Sequence, residues 1–253
     1  MGDAEMGNAS TAMAVETPAT KPYGYLKIIA YLFFEPSRAF RELSKTPRWL
    51  VPLVLCSLVA VGFEAATSRY RMADLKERIS NDSTLSPQEV SRRLHNIDAQ
   101  RTTSISYTKV ALGAAILTGI NVMKVIAVST ILLLSTLSLR ERASFKQLFS
   151  AVSFIFLVTI PEKIIVAALM VVKGSYDVQL GPAAFVSGES EGSLLITVLE
   201  RLDIFSIWIA ILMVTALPIV TGISKRRAAV VVCCLWAGWL LLAMLPIKLI
   251  DIN

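Results

Sequence analysis

The amino-acid sequence predicts an all-α protein: a polytopic membrane bundle of five transmembrane helices with short interfacial amphipathic helices beside it. Three observations carry that expectation. Of the 253 residues, 55% are hydrophobic and only 17% charged, and the apolar ones stand in long blocks rather than at the periodic spacing of a soluble core. Five of those blocks approach or exceed the roughly 20 residues that a helix needs to cross a bilayer. Lys and Arg gather in the short connections between blocks, which accounts for the net charge of +6 without invoking nucleic acid.

Taken in order, residues 1–22 are small and polar, with Asp3, Glu5 and Glu16 but no apolar core, and read as a disordered tail rather than a signal peptide. Gly2 is followed at position 6 by Met, where myristoylation wants Ser or Thr. From 23 to 48 the chain is apolar but broken at Pro36. Leu26, Ile28, Ile29, Leu32, Phe33 and Phe34 precede the break. Ala39, Phe40 and Leu43 follow it, opposite Arg38, Arg41 and Lys45. Neither half can span, so both are expected as cytosolic interfacial helices, with Lys27, Arg38, Arg41, Lys45 and Arg48 turned to anionic headgroups.

The membrane domain is expected over 49–250, with spans at about 49–67, 110–139, 147–172, 204–224 and 228–247. Trp49 anchors the first at the interface, and Pro52 sits in its first turn, where a missing N–H costs little. Residues 68–106 then read as a helical hairpin outside the bilayer. Its second helix opens with the capping box Ser86-Pro-Gln-Glu89 and carries Val90, Leu94 and Ile97 on one face.

The second span holds fifteen Leu, Ile or Val among its thirty residues against one charge, Lys124. At about −0.3 to −0.6 kcal/mol each they outweigh a cost of about +3 kcal/mol for one central Lys. Insertion wins. Ala111, Ala115 and Gly119 recur every four residues in it, a seam that would allow close helix contact. In the third span Pro161, Glu162 and Lys163 place a kink and two charges together. A polar loop over 173–201 ends in a short helix with Leu194, Leu195, Val198, Leu199 and Leu202 on one face. The fourth span carries Trp208 and a kink at Pro218, and the fifth Trp236 and Trp239.

The short turns 140–146 and 225–227 hold three basic residues each, and six precede Trp49. With five spans these fall on one face, which puts the N-terminus in the cytosol and the C-terminus outside. The basic hairpin then lies on the opposite side, as long loops translocate largely regardless of charge.

Phe34-Glu-Pro-Ser-Arg-Ala-Phe40, followed by Pro47-Arg-Trp-Leu-Val-Pro-Leu53, resembles the approach to the first span in the Yip1 domain family. Gly181-Pro-Ala-Ala-Phe185 with Leu202-Asp-Ile-Phe-Ser-Ile-Trp208 is similar to that family's second signature, before its fourth span. The likeness covers about residues 28–242. It implies a five-span membrane protein without known catalysis. Eukaryotic members act in early secretory traffic through long cytosolic N-terminal regions that engage Rab GTPases. Here the segment before Tyr23 is short and featureless, so the resemblance points to a bacterial-type member in the cytoplasmic membrane. Bacterial members are regarded as accessory proteins, some associated with ABC exporters.

Asn121, Lys124, Glu162 and Lys163 form the candidate intramembrane polar cluster. Lys124 and Glu162 sit near the middle of adjacent antiparallel spans, where an isolated charge is costly and pairing offsets much of that cost. Three readings stay open for the pair: a structural staple, a docking point for a partner's helix, or an ion or proton relay. Lys163 follows Glu162 directly and points about 100° away. Enzymatic readings lack their parts. There is no HExxH, GxSxG or P-loop, His95 is the one histidine, and Cys56, Cys233 and Cys234 lie inside apolar blocks. The expectation is therefore a protein without metal, cofactor or nucleic acid. Its partners would be the lipid bilayer and another membrane protein or a second copy. It would serve as a scaffold or accessory factor, with a small transporter or channel as the alternative and membrane shaping as a weaker third.

Overall fold

A computed structural model describes residues 23–102, 107–138, 144–185, 198–199 and 201–244. The expected tail over 1–22, most of the 140–146 turn, residues 194–197 and the segment after Met244 lie outside them. Among the described residues the chain is helical, with no strand. Its helices are α1 (Tyr25–Phe34), α2 (Pro36–Lys45), α3 (Leu50–Asn81), α4 (Pro87–Thr102), α5 (Tyr107–Ser138), α6 (Phe145–Ile155), α7 (Thr159–Lys173), α8 (Ile204–Thr221) and α9 (Lys225–Met244). Four stretches are long and apolar enough to cross a membrane: α3, the Val110–Leu137 part of α5, the run from α6 through α7, and α8.

The core forms around α6. Seven of its eleven residues are buried, and it packs against α1, α2, α3, α5 and α8. A helix buried all round needs small or self-satisfied polar groups on some faces, and Ser150, Ala151 and Ser153 supply them. Ser153 returns its hydroxyl to the Phe149 carbonyl at 2.6 Å. Beyond Ile155 the helix tightens into a 3-10 turn, Phe156–Val158, before α7 resumes. Pro161 explains the break: it has no N–H for the Leu157 carbonyl, and its ring crowds the preceding turn. Pro218, by contrast, lies within α8 without interrupting it.

The first two helices are part of the bundle. Pro36 separates them, and Ile28 and Leu32 of α1 and Ala39, Phe40 and Leu43 of α2 are fully buried. The face of α2 that the sequence assigns to the headgroup layer packs instead on α6 and α8. The linker into α3 is fastened as well. Ser150 Oγ accepts from the Arg48 N–H (2.8 Å) and donates to the Arg48 carbonyl (3.0 Å), and Gln147 Nε2 donates to the Ser44 carbonyl (2.7 Å).

α5 behaves differently. Its buried residues are Val125, Ser129, Leu132 and Thr136, a single stripe at spacings of four, three and four. The expected seam of Ala111, Ala115 and Gly119 is exposed, and a Cβ on Gly119 would meet nothing within 4 Å. Close contact with α3 and α6 runs along the hydroxyl-bearing stripe instead. α3 continues unbroken from the first expected span to Asn81. α4 returns against it, capped by Ser86 Oγ on the Glu89 N–H (3.2 Å) and tied by the Lys76–Asp98 ion pair.

Candidate functional site: an intramembrane cleft with one polar end

Between α5, α7, α8 and α9 the bundle opens into a cleft of about 1600 Å³. It gathers all four residues of the expected polar cluster: Asn121, Lys124, Glu162 and Lys163. Among the described residues neither lysine closes an ion pair with Glu162. Each stacks on a ring instead. Lys124 Nζ lies 4.7 Å from the centre of Phe156, and Lys163 Nζ lies 4.6 Å from the centre of Phe63. A ring face stabilises an ammonium by about 0.5–2 kcal/mol, more as water is excluded. The two phenylalanines hold the cations without neutralising them.

Three further residues join the wall. Arg201 and Asp203 stand just before α8, and Cys56 comes from α3. Asp203 is the N-cap of α8: its Oδ1 accepts from the N–H groups of Phe205 (2.7 Å) and Ser206 (2.8 Å), while Ser206 Oγ accepts from the Asp203 N–H (3.1 Å). Asp203 is thus committed to the helix start, where its charge also suits the dipole. The spacing Asp203-x-x-Ser206 carries that signal in the sequence. Nothing comparable marks Arg201 or Phe63, which only tertiary packing brings in.

Asp203 and Arg201 stand at one end of the bundle. α8 has 18 residues, so its cap stands about 27 Å from its far end, close to the roughly 30 Å of a hydrocarbon layer. On α3 the Phe63 ring meets Lys163, and Glu64, Ser68, Arg69 and Arg71 follow. Glu64 pairs with Arg71 at 2.9 Å. The two segments that carry the sequence signature near α8 also meet here. Gly181 is buried so closely against the Leu199 and Leu202 backbone that an added Cβ would lie 3.1 Å from the Leu199 carbonyl oxygen and closer still to that of Leu202.

The interfacial residues named from the sequence lie at the opposite end, around α1 and α2. Lys27 stacks on Tyr23 (4.3 Å) and Arg38 on Tyr31 (4.8 Å), with Arg38 also bridging to Glu35 at 3.2 Å. Arg48 donates to the Tyr23 carbonyl at 2.7 Å, and the Trp49 ring meets Phe149 edge-on. Arg41 and Lys45 border a polar recess of about 330 Å³ with Glu42. The described residues hold no group of His, Cys, Asp and Glu able to bind a metal ion.

Apolar helices of spanning length around a polar-ended cleft define a multi-pass integral membrane protein. The Yip1 domain model matches residues 30–246, well over half the chain, and the chain belongs to that family. No curated protein and no solved structure matches it.

Proposed function

We propose that this Yip1-family protein is a non-enzymatic accessory or scaffolding factor for another membrane machine, such as an ABC exporter, or for membrane organisation. The observation that supports this best is the end of the bundle built by α1 and α2. Their inner faces are consumed by the core, yet Leu26 and Phe34 stand 84% and 85% exposed on α1, beside Lys27 and Arg38. An apolar pair rimmed by cations suits contact with a second membrane protein at the lipid boundary. Co-purification in mild detergent tests it. A stoichiometric partner is expected with the wild type and lost with Leu26→Ser/Phe34→Ser; repeated isolation of the chain alone overturns the reading.

The working topology has five spans, with α9 as the fifth, the N-terminus in the cytosol and the C-terminus outside a bacterial cytoplasmic membrane. Reporter fusions at the two ends should report opposite compartments. A second reading, a small transporter or channel, draws support from Asn121, Lys124 and Glu162 lining one cleft. It requires a flux in liposomes that Glu162→Gln abolishes.

A further inference from the structure

The cleft is polar at one end only. Counted along each wall, its lining runs from Ile120 to Ser135 on α5, from Lys163 to Ser153 through α7 and α6, and from Asp203 to Met213 on α8. At 1.5 Å per residue the walls are about 15–22 Å deep, short of a hydrocarbon layer of about 30 Å. Below the polar end the walls are mostly apolar, with Val128, Ile131, Ile209 and Leu235 among them. A transmembrane helix of a partner would need an apolar groove about 30 Å long and 10 Å wide, longer than any of these walls. A lipid occupying a single leaflet needs half.

The charge at the polar end favours an anionic head. Lys124, Lys163 and Arg201 face Glu162 and Asp203, an excess of one positive charge. Asp203 is already engaged by two backbone N–H groups, and both lysines rest on rings rather than on carboxylates. The lysine ammonium groups therefore retain donors for a phosphodiester oxygen. Asp203 and Arg201 lie where α8 begins, and α3 turns polar just past Phe63, the ring under Lys163. α5 and α7 continue apolar past the cluster, but the cleft does not follow them beyond Ile120 and Lys163.

We propose that this cleft is a binding site for one anionic glycerophospholipid, its phosphate held by Lys124, Lys163 and Arg201 and its acyl chains laid down the apolar walls toward the α1–α2 end. The site stands independently of the accessory role. Native mass spectrometry of the full chain in detergent, titrated with phosphatidylglycerol or phosphatidylcholine of the same acyl composition, tests it. One phosphatidylglycerol per chain is expected to be retained about tenfold or more over phosphatidylcholine. Lys124→Gln/Lys163→Gln should remove that preference, while Lys124→Arg/Lys163→Arg keeps it. Far-UV circular dichroism confirms that each variant is folded. Should the double Gln variant lose its helices, Arg201→Gln, outside the spans, provides the same readout. Equal retention of the two lipids, or a preference untouched by loss of the cations, overturns the proposal. So does a second copy of the chain that leaves on the same substitutions.

Discussion

α5 and α6 are both apolar helices of the same bundle, yet one lines its edge and the other fills its centre. α5 buries one stripe of four residues and exposes Leu112, Ile116, Ile120, Met123 and Leu134 around it. α6 buries seven of eleven and touches five neighbours. Lipid tails and Leu side chains are equally apolar, so composition says that a segment belongs in a membrane without saying which neighbour it meets there. The distinguishing mark is where the hydroxyls and small residues fall. In α6, Ser153 returns to its own helix at Phe149, but Ser150 binds a backbone 102 residues away. In α5, Ser129 and Ser135 only return to their own helix, at Val125 and Ile131.

The sharpest way to break this comparison is truncation. Phe154→Ala is expected to cost about 3–5 kcal/mol, measured by unfolding in mixed micelles, because Phe154 is fully buried. Leu134→Ala, 60% exposed, should cost well under 1 kcal/mol. Equal losses would refute the assignment of centre and edge. Next comes the hydroxyl contrast. Ser150→Ala leaves the Arg48 N–H and carbonyl without their partner and should cost about 1–3 kcal/mol; Ser135→Ala, with its local bond, should be nearly silent.

A smaller pair of effects, of opposite sign, concerns glycines. Gly181→Ala should destabilise by about 1–3 kcal/mol, since its Cβ would strike the Leu202 carbonyl. Gly119→Ala faces open space inside a helix and should stabilise by up to about 1 kcal/mol. Thermal unfolding of both variants checks the signs. The smallest effect lies in the α3–α4 turn. Bonds from the Thr84 hydroxyl and N–H hold Asp82 below its ordinary carboxylate range, and the Arg93 side chain does the same for Glu89. Carboxyls depressed in the folded state stabilise it above their unfolded pKa and lose that contribution as pH falls through the folded one. Protection of the 82–90 amides, taken relative to their intrinsic exchange rates, should therefore fall below about pH 4, while that of α6 stays unchanged.

The helical class and the apolar stretches of spanning length were legible in the sequence, because hydrocarbon demands long blocks whatever the packing. Asn121, Lys124, Glu162 and Lys163 line one cleft, but the pairing of Lys124 with Glu162 that antiparallel spans suggested does not form. The fate of α1 and α2 was not legible. Ala39, Phe40 and Leu43 form a stripe that suits a lipid surface and a protein core alike, and only α6 and α8 decide between them. Ala111, Ala115 and Gly119 misled for a related reason: small residues permit approach but exert no pull of their own. Lys124 and Lys163 found Phe156 and Phe63 because rings from other segments reach them first, a pairing invisible to spacing rules.

The 32 residues of α3 form a rod about 48 Å long, with neither glycine nor proline between Glu64 and Asn81. One unbroken helix thus ties the hairpin beyond the bundle to Phe63 and, through that ring, to the Lys163 wall of the cleft.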